Sequence, residues 1–394
     1  MRILVADDEP ITLNLIALNL KNWGYETLLA ENGMEAFEIL KKENISLLVS
    51  DWMMPEMNGV DLCRAIRNAD LPYYVYIIML TAKSDKKALI NGMKAGADDY
   101  MVKPFNRDEL HVRINAGVRV LNLERDLARK NESLEKASTI IQKDLKAAAK
   151  LQKALLPSTS SDINGVRFDW SFLPCTYVAG DIFNYFKLDD QKIGFYLLDV
   201  AGHGIPSAML SFTLSNIISP SAIGEDGNSE NSLRQKMFSP ALAMKELNMR
   251  FQGDVDSMLY FTMIYGVIDA SNNTIKLAQA GHPSPVLIRS NGETELIGDG
   301  GVPIGMFVDL EYKEIEVEFR KGDRLFIYSD GITECSNAEK KQYSERRLVS
   351  NLQKWRKKSL SELLTELNTS LHDWRADNKF DDDVSLMAIE HIGT

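Results

Sequence analysis

Three acidic segments in the C-terminal part of the chain hold residue types suited to chemistry: Asp199-Val-Ala-Gly-His-Gly204, Tyr328-Ser-Asp-Gly-Ile-Thr-Glu334 and Phe380-Asp-Asp-Asp-Val-Ser385. In each, an Asp ends or borders a β-branched, apolar run where strand residues give way to a turn. Carboxylates held at strand ends and drawn from distant parts of a chain suit a hard divalent cation, because Mg²⁺ and Mn²⁺ prefer oxygen ligands in near-octahedral geometry. One such Asp alone is commonly a turn former or helix cap. Three together, two with Gly alongside, point to a metal-dependent hydrolase. A second set lies near the N-terminus, where Asp7, Asp8, Asp51, Thr81 and Lys103 each adjoin a short apolar run. Three carboxylates can bind one Mg²⁺ while a hydroxyl and an ammonium hold an anion beside it. Asp51 is then a nucleophile for phosphoryl transfer, and the product is an aspartyl phosphate.

The elements that must position these groups change character along the chain. In residues 1–120, strand-like runs at 3–6, 47–50 and 75–80 alternate with helical patterns at 10–22, 33–43, 59–68, 85–95 and 106–120. This alternation predicts an α/β, doubly wound parallel sheet with ligands at the carboxyl ends of its strands. In residues 158–394 strands are expected at 165–172, 192–199, 260–269, 274–280, 285–290, 312–318, 323–329 and 384–390, with helices at 205–218, 239–252, 345–356 and 359–374. Neighbouring strands with separate helices predict an α+β domain, two antiparallel sheets covered by helices. Residues 219–240, rich in Ser, Asn, Gly and Glu, read as a surface loop, either a functional flap or an insert.

Residues 121–157 form the connector. Val120, Leu127, Leu134, Ile141, Ala148 and Leu155 recur every seven residues, Leu123, Ala137 and Leu151 add a partial second row, and Lys130 and Asp144 interrupt it. Such heptads predict a long helix that pairs with a second copy as a homodimeric coiled coil; the alternative is one solvated helix leaning on a domain. Pro157 stops it.

Composition limits the function classes. A chain of 394 residues exceeds what one core usually supports, so two domains and a connector are expected. The net charge of −11 argues against gripping a phosphate backbone, so no direct nucleic-acid partner is expected. Cys63, Cys175 and Cys335 are far apart in sequence and form no C-x-x-C pair, which fits a reducing compartment. Met1-Arg2 runs directly into a strand-like segment, and no apolar run reaches the ~18 residues of a membrane span. A cytoplasmic protein with no membrane partner is the expectation.

Residues 1–120 resemble the receiver domain of two-component response regulators, through Asp7-Asp8-Glu9-Pro10, Asp51-x-x-Met54-Pro55-x-Met57-x-Gly59, Leu80-Thr81-Ala82 and Lys103-Pro104-Phe105. The resemblance implies a sensor histidine kinase as partner and Asp51 as phosphoacceptor. It implies Mg²⁺ bound by Asp7 or Asp8 with Asp51 and the Met53 carbonyl, and contact of Thr81 and Lys103 with the phosphoryl group. Tyr100 becomes the switch aromatic, moving inward when Thr81 turns to the phosphate.

Residues 158–394, led in by Leu151-Gln152-x-x-Leu155-Leu156-Pro157, resemble the SpoIIE/RsbU-like branch of the protein phosphatase 2C-like, metal-dependent serine/threonine phosphatases. The landmarks are Ala179-Gly180-Asp181, Asp199-Val200-x-Gly202-His203-Gly204, Thr262 to Asp269, Ala280-Gly281-His282-Pro283, Pro303-Ile304-Gly305, Asp330-Gly331 and Asp382-Asp383-Val384-Ser385. By this resemblance Asp181, Asp199, Asp330, Asp382 and the Val200 carbonyl bind two Mn²⁺ or Mg²⁺ ions, with Asp199 bridging, and a metal-activated water attacks phosphorus in line. His203 and His282, together with Gly331 and Asp383, lie inside the same motifs. Either His could act as proton donor or partner behind the ligands, or simply fix a turn. Two positions depart from the family pattern: Ala179 stands where Gly is usual, and Asn184 where an Asp is common. The methyl at 179 is tolerable unless the backbone needs positive φ, and lost charge at 184 would weaken a peripheral metal.

Together these resemblances imply a response regulator whose aspartyl phosphorylation controls a phosphatase. The substrate they imply is a phosphorylated anti-sigma-factor antagonist in a partner-switching stress response. The competing reading is a non-catalytic adaptor or anti-sigma protein that binds a sigma factor or delivers it to a protease. Such an adaptor has no need of the four acids, all of which are present.

Overall fold

A computed structural model gives the structure and describes all residues except 83–89, 91, 159–160, 203, 220–232, 252–259, 376–379 and 394. The chain divides into two units, Met1–Thr139 and Ile140–Thr394.

In the first unit β1 (Arg2–Ala6), β2 (Glu26–Ala30), β3 (Leu47–Asp51), β4 (Tyr76–Thr81) and β5 (Asp99–Val102) form a parallel sheet in the order β2-β1-β3-β4-β5. The central β3 and β4 are buried along their whole length, as strands covered on both faces must be. Helices Gly33–Lys42 and Gly59–Asn68 begin at asparagines whose side chains accept the Glu35 and Asp61 amides, satisfying donors that a helix start leaves unpaired. Ladder register sets Asp51 opposite Leu80 and Thr81 opposite Val102, so Asp7, Asp51, Thr81 and Lys103 gather at one edge. β2 escaped the sequence reading because only Ala30 in it is fully buried, and an edge strand facing solvent carries no continuous apolar run. The helix expected at 85–95 lies mostly outside the described residues. The pattern at 106–120 and the connector are one helix, Arg107–Leu155, with no break at 120; the division between the units falls inside it.

The second unit holds β6 (Ser161–Ile163), β7 (Val166–Leu173), β8 (Ile182–Lys187), β9 (Lys192–Val200), β10 (Phe261–Asp269), β11 (Thr274–Ala280), β12 (Val286–Ile288), β13 (Thr294–Leu296), β14 (Ile315–Glu318), β15 (Arg324–Tyr328) and β16 (Val384–His391). They make two antiparallel sheets, β14-β11-β10-β9-β8 and β13-β12-β15-β16-β7-β6. Leu198, Ile264 and Leu277 of the first sheet share one core with Phe168, Ile327 and Met387 of the second. A separate core seats helices Glu345–Trp355 and Leu360–Trp374 on the outer face of the second sheet, through Leu348, Leu352, Leu363 and Leu367 against Phe326 and Leu386. Among the strands not anticipated, β6 and β13 have three residues each, too short to show a period. β8, an apolar and aromatic run interrupted by Asn184, is not among the expected strands.

Gly266 shows how closely the sheet packs. It stands opposite Phe195 in the β9–β10 ladder, and a Cβ built on it would lie 2.2 Å from that ring. Gly266→Ala should therefore destabilise the second unit by about 1–3 kcal/mol, the usual cost of overpacking. Urea unfolding followed by tryptophan fluorescence checks this, and an unchanged midpoint would contradict it.

Candidate functional site

Two acidic centres occur, and they solve their charge problem differently. In the first unit one carboxylate oxygen each from Asp7, Asp8 and Asp51 lie within 4.8 Å of one another. Lys103 Nζ is 2.7 Å from Asp7 Oδ2 and 2.7 Å from Asp51 Oδ1. Asp7 Oδ1 also accepts the Glu9 amide at 2.9 Å, and Asp51 Oδ2 the Met53 amide at 3.3 Å. Burial raises the Asp51 pKa, against the lowering pull of Lys103. On Lys103, burial works to lower the pKa and is outweighed by its bonds to Asp51 and Asp7, so the ammonium is reinforced. Thr81 is buried beside them and Tyr100 is half-buried. Gly59 admits no side chain, because its Cβ would meet the Asp51 carbonyl oxygen at 2.2 Å.

Arg113 is a residue the sequence reading passed over. Its guanidinium bonds Asp99 Oδ1 at 2.5 Å and lies 6.0 Å from the Tyr100 ring. It belongs to the long helix, so Tyr100 and the helix share a contact. From sequence the only signal was an Arg two turns into a helical pattern.

In the second unit Asp181 precedes β8, Asp199 lies near the end of β9, Asp330 opens the short helix Asp330–Thr333, and Asp382 stands just before β16. Asp181 is fully buried, and neither carboxylate oxygen has a hydrogen-bond partner among the described residues. Burial first, then Asp199 and Asp383, push its pKa well up. Burial, then Asp330 and Asp382, push Asp199 to about 7; burial, then Asp382 and Glu334, push Asp330 to about 6. The charges that act on these three are all carboxylates. Repulsion of this kind, with orphaned buried oxygens, fits a hard divalent cation held by oxygen donors.

The scaffold around these acids is tightly bonded. Asp383, expected behind the ligands, accepts the Cys175 amide on Oδ1 and the Gly180 amide on Oδ2, both at 2.8 Å. It therefore joins the segment before Asp181 to the segment carrying Asp382. Ser329 Oγ donates to the Asp383 carbonyl at 3.1 Å and accepts the Ser385 amide at 3.0 Å. Gly331 must lack a side chain, since its Cβ would stand 2.1 Å from the Asp383 carbonyl oxygen. Gly180 leaves room for the Val200 carbonyl, 2.9 Å from where a Cβ would sit. Gln152, near the end of the long helix, is buried and spans both sides of one peptide position: its Oε1 accepts the Ala179 amide at 2.9 Å and its Nε2 donates to the Ala179 carbonyl at 2.8 Å. Sequence marked Gln152 as a landmark without a role.

His282 is fully buried, burial pushes its pKa down to about 3, and Nδ1 is 2.8 Å from Thr262 Oγ1. Gln279 Nε2 donates to its carbonyl at 2.5 Å, an arrangement that fixes a turn. His203 lies outside the described residues. Ala179 is not among the residues of positive φ, so its methyl is accommodated. Asn184 sits within β8, its Oδ1 accepting the Tyr185 amide at 2.8 Å. Cys175 Sγ approaches Asp382 and Asp383, and burial, then Asp383, push the thiol up to about 12. It is thus no nucleophile. Of the loop expected at 219–240, most lies outside the described residues.

Residues 189–392 match the family Stage II sporulation protein E (SpoIIE), and residues 3–115 match the response regulator receiver domain. A phosphoserine phosphatase, RsbP of Bacillus subtilis (strain 168), is 31% identical over 196 residues, 48% of this chain and 45% of that protein. The phosphate regulon transcriptional regulatory protein PhoB of Pseudomonas aeruginosa is 40% identical over 117 residues, 30% of this chain and 51% of its own length. The chain thus spans about half the length of the curated relatives it matches. The solved SiaA-PP2C domain of Pseudomonas aeruginosa shares the fold, with a TM-score of 0.55 at 20% identity over 64% of this chain and 98% of that one.

The raised carboxyl pKa values have a thermodynamic consequence. An unfolded Asp titrates near 3.9, whereas folded Asp330 and Asp199 titrate near 6 and 7. Between those values the folded state holds more protons than the unfolded one. Metal-free protein should accordingly lose stability as pH rises from about 4 through 7. Thermal unfolding after chelation should give a lower Tm at about pH 8 than at about pH 5, and Mn²⁺ should raise Tm more at the higher pH. A Tm that climbs across this range, with no Mn²⁺ effect, would contradict the site.

Proposed function

The chain belongs to the SpoIIE family, and with a response regulator receiver domain ahead of that match we propose that it is a metal-dependent phosphoserine/phosphothreonine protein phosphatase switched by phosphorylation of Asp51. The observation that carries this reading is the convergence of Asp181, Asp199, Asp330 and Asp382, with both oxygens of Asp181 buried and without a partner among the described residues. An adaptor would gain nothing from four carboxylates that destabilise one another. Asp199, acted on by each of the other three, would be the central carboxylate in holding the ions. Asp181, Asp330, Asp382 and the Val200 carbonyl complete the oxygen set. Bound Mn²⁺ or Mg²⁺ supplies neutralisation of phosphoryl charge and a water of lowered pKa. The chain's own part is to fix these oxygens through Asp383, Ser329 and Gln152, to keep His282 neutral, and to keep the Cys175 thiol protonated.

The functional parts are a receiver at 1–120, a helical linker at 121–157 and the phosphatase at 158–394. A sensor histidine kinase supplies the phosphoryl group, and Asp7, Asp8, Asp51 and the Met53 carbonyl hold Mg²⁺ for its transfer. The phosphate competes for Lys103, which now pairs with Asp7 and Asp51. Thr81 and Tyr100 respond, and Arg113 carries the change into the helix that ends at the Gln152 clamp. Phosphorylation can only bias arrangements whose contacts already differ. A second copy supplies the other strand of a coiled coil, because Leu123, Leu127, Leu134, Ile141 and Leu151 are each more than half exposed on that helix. The substrate is a phosphorylated anti-sigma-factor antagonist of a cytoplasmic partner-switching stress response, in keeping with the phosphoserine phosphatase name of RsbP.

Hydrolysis of a phosphoserine peptide by the full chain with Mn²⁺ tests the reading. Asp199→Ala and Asp330→Ala should each lower kcat/KM by more than about 100-fold, beyond the losses usual for residues behind metal ligands. A rate retained in both variants would refute the assignment. For control by the receiver, acetyl phosphate should change the wild-type rate and leave that of Asp51→Ala unchanged. Gln152→Leu, which removes both bonds to Ala179, should lower the rate and weaken its response; a normal response would exclude the clamp from the relay.

A further inference from the structure

A groove of about 740 Å³ runs between helices Glu345–Trp355 and Leu360–Trp374. Arg346 and Arg347, both exposed, line it, and Asp373 is the one carboxylate among its described lining residues. In a chain of net charge −11 this is a local reversal of sign. Arg347 is held in place by aromatic faces, its guanidinium 3.5 Å from the centre of the Trp374 ring and 5.6 Å from that of Tyr343. A guanidinium stacked this way keeps its edge donors free for a carboxylate fork. The floor is braced: Asn351 Nδ2 donates to the Tyr343 hydroxyl at 2.6 Å, and that hydroxyl is 2.8 Å from Ser370 Oγ.

The groove also adjoins the acidic centre. The Tyr343 amide donates to the Cys335 carbonyl and the Ser344 amide to the Thr333 carbonyl, each at 2.8 Å. Trp374 Nε1 donates to the same Cys335 carbonyl at 3.1 Å. Thr333 closes the four-residue helix that Asp330 opens, a rise of about 6 Å. An extended peptide advances about 3.3 Å per residue. A few residues of one polypeptide can therefore reach from the acids to the arginines.

We propose that this groove docks an acidic segment of the phosphoprotein substrate, a few residues from the phosphorylated side chain. The proposal rests on the phosphatase reading above. The groove takes no part in the chemistry; it selects which phosphoserine is presented.

Two fluorescein-labelled phosphoserine peptides test it, identical except that one carries three Glu and the other three Gln at four to six residues from the phosphoserine. Binding is read by anisotropy and turnover with Mn²⁺, against wild type, Arg346→Glu/Arg347→Gln, and the milder Arg346→Gln. Wild type should bind the Glu peptide about three- to tenfold tighter, the range expected of two exposed ion pairs, with the difference in KM and not in kcat. The double variant should abolish that preference and Arg346→Gln should reduce it, while p-nitrophenyl phosphate is hydrolysed as by wild type. Equal binding of both peptides by wild type, or a preference that survives the double variant, overturns the proposal. Loss of p-nitrophenyl phosphate turnover in wild type would count against the phosphatase reading instead, and the anisotropy comparison would still decide the groove.

Discussion

Four carboxylates brought together, Asp181 buried and Asp199, Asp330 and Asp382 partly so, repel one another, and much of the second unit is arranged to hold them there. Asp181, Asp199, Asp330 and Asp382 come from four separate stretches of chain. No lysine or arginine is among the charges that act most on Asp181, Asp199 and Asp330. A protein gains no stability from such an arrangement unless something of opposite charge joins it. The receiver centre is the contrast, for there Lys103 already bridges Asp7 and Asp51. One centre keeps a built-in cation, whereas in the other the charges that act most are carboxylates alone.

Holding repelling groups requires stiff supports, and the hydrogen bonds show where they are. Asp383 ties the segment before Asp181 to the start of β16, and Ser329 ties β15 to the same strand. Gly331 lets the Asp330 helix lie against the Asp383 carbonyl. Gln152 adds the end of the long helix to this frame. Any movement of that helix along its axis must stretch two hydrogen bonds or move Ala179, two residues from Asp181. The regulation proposed above would act through these two bonds.

The acids were legible in the sequence because each borders an apolar run, Asp199 and Asp330 at the end of one and Asp181 and Asp382 ahead of one, with Gly close to three of them. The two sheets were legible for a related reason, since most of their strands are long enough to show a period. What the sequence hid was nonlocal or too small. β2 lacked a distinctive run, and β6 and β13 were too short. Arg113 and Gln152 matter through contacts with residues 14 and 27 positions away, which no spacing rule announces. His282 was open between proton donor and turn former until its burial and its bond to Thr262 favoured the turn. The continuous helix Arg107–Leu155 was split in the reading because the core-facing pattern of its first turns gives way to an exposed heptad, a change of environment rather than of structure.

Calorimetric titration of the metal-free chain with Mn²⁺, repeated at about pH 6.5 in two buffers of different ionisation enthalpy, tests the central claim directly, because it counts protons as well as ions. The account predicts binding accompanied by proton release, and loss of that release when Asp199 and Asp330 are both replaced by Asn. Binding with no protons released, or the same release from the double variant, would show that these carboxylates are not what receives the metal.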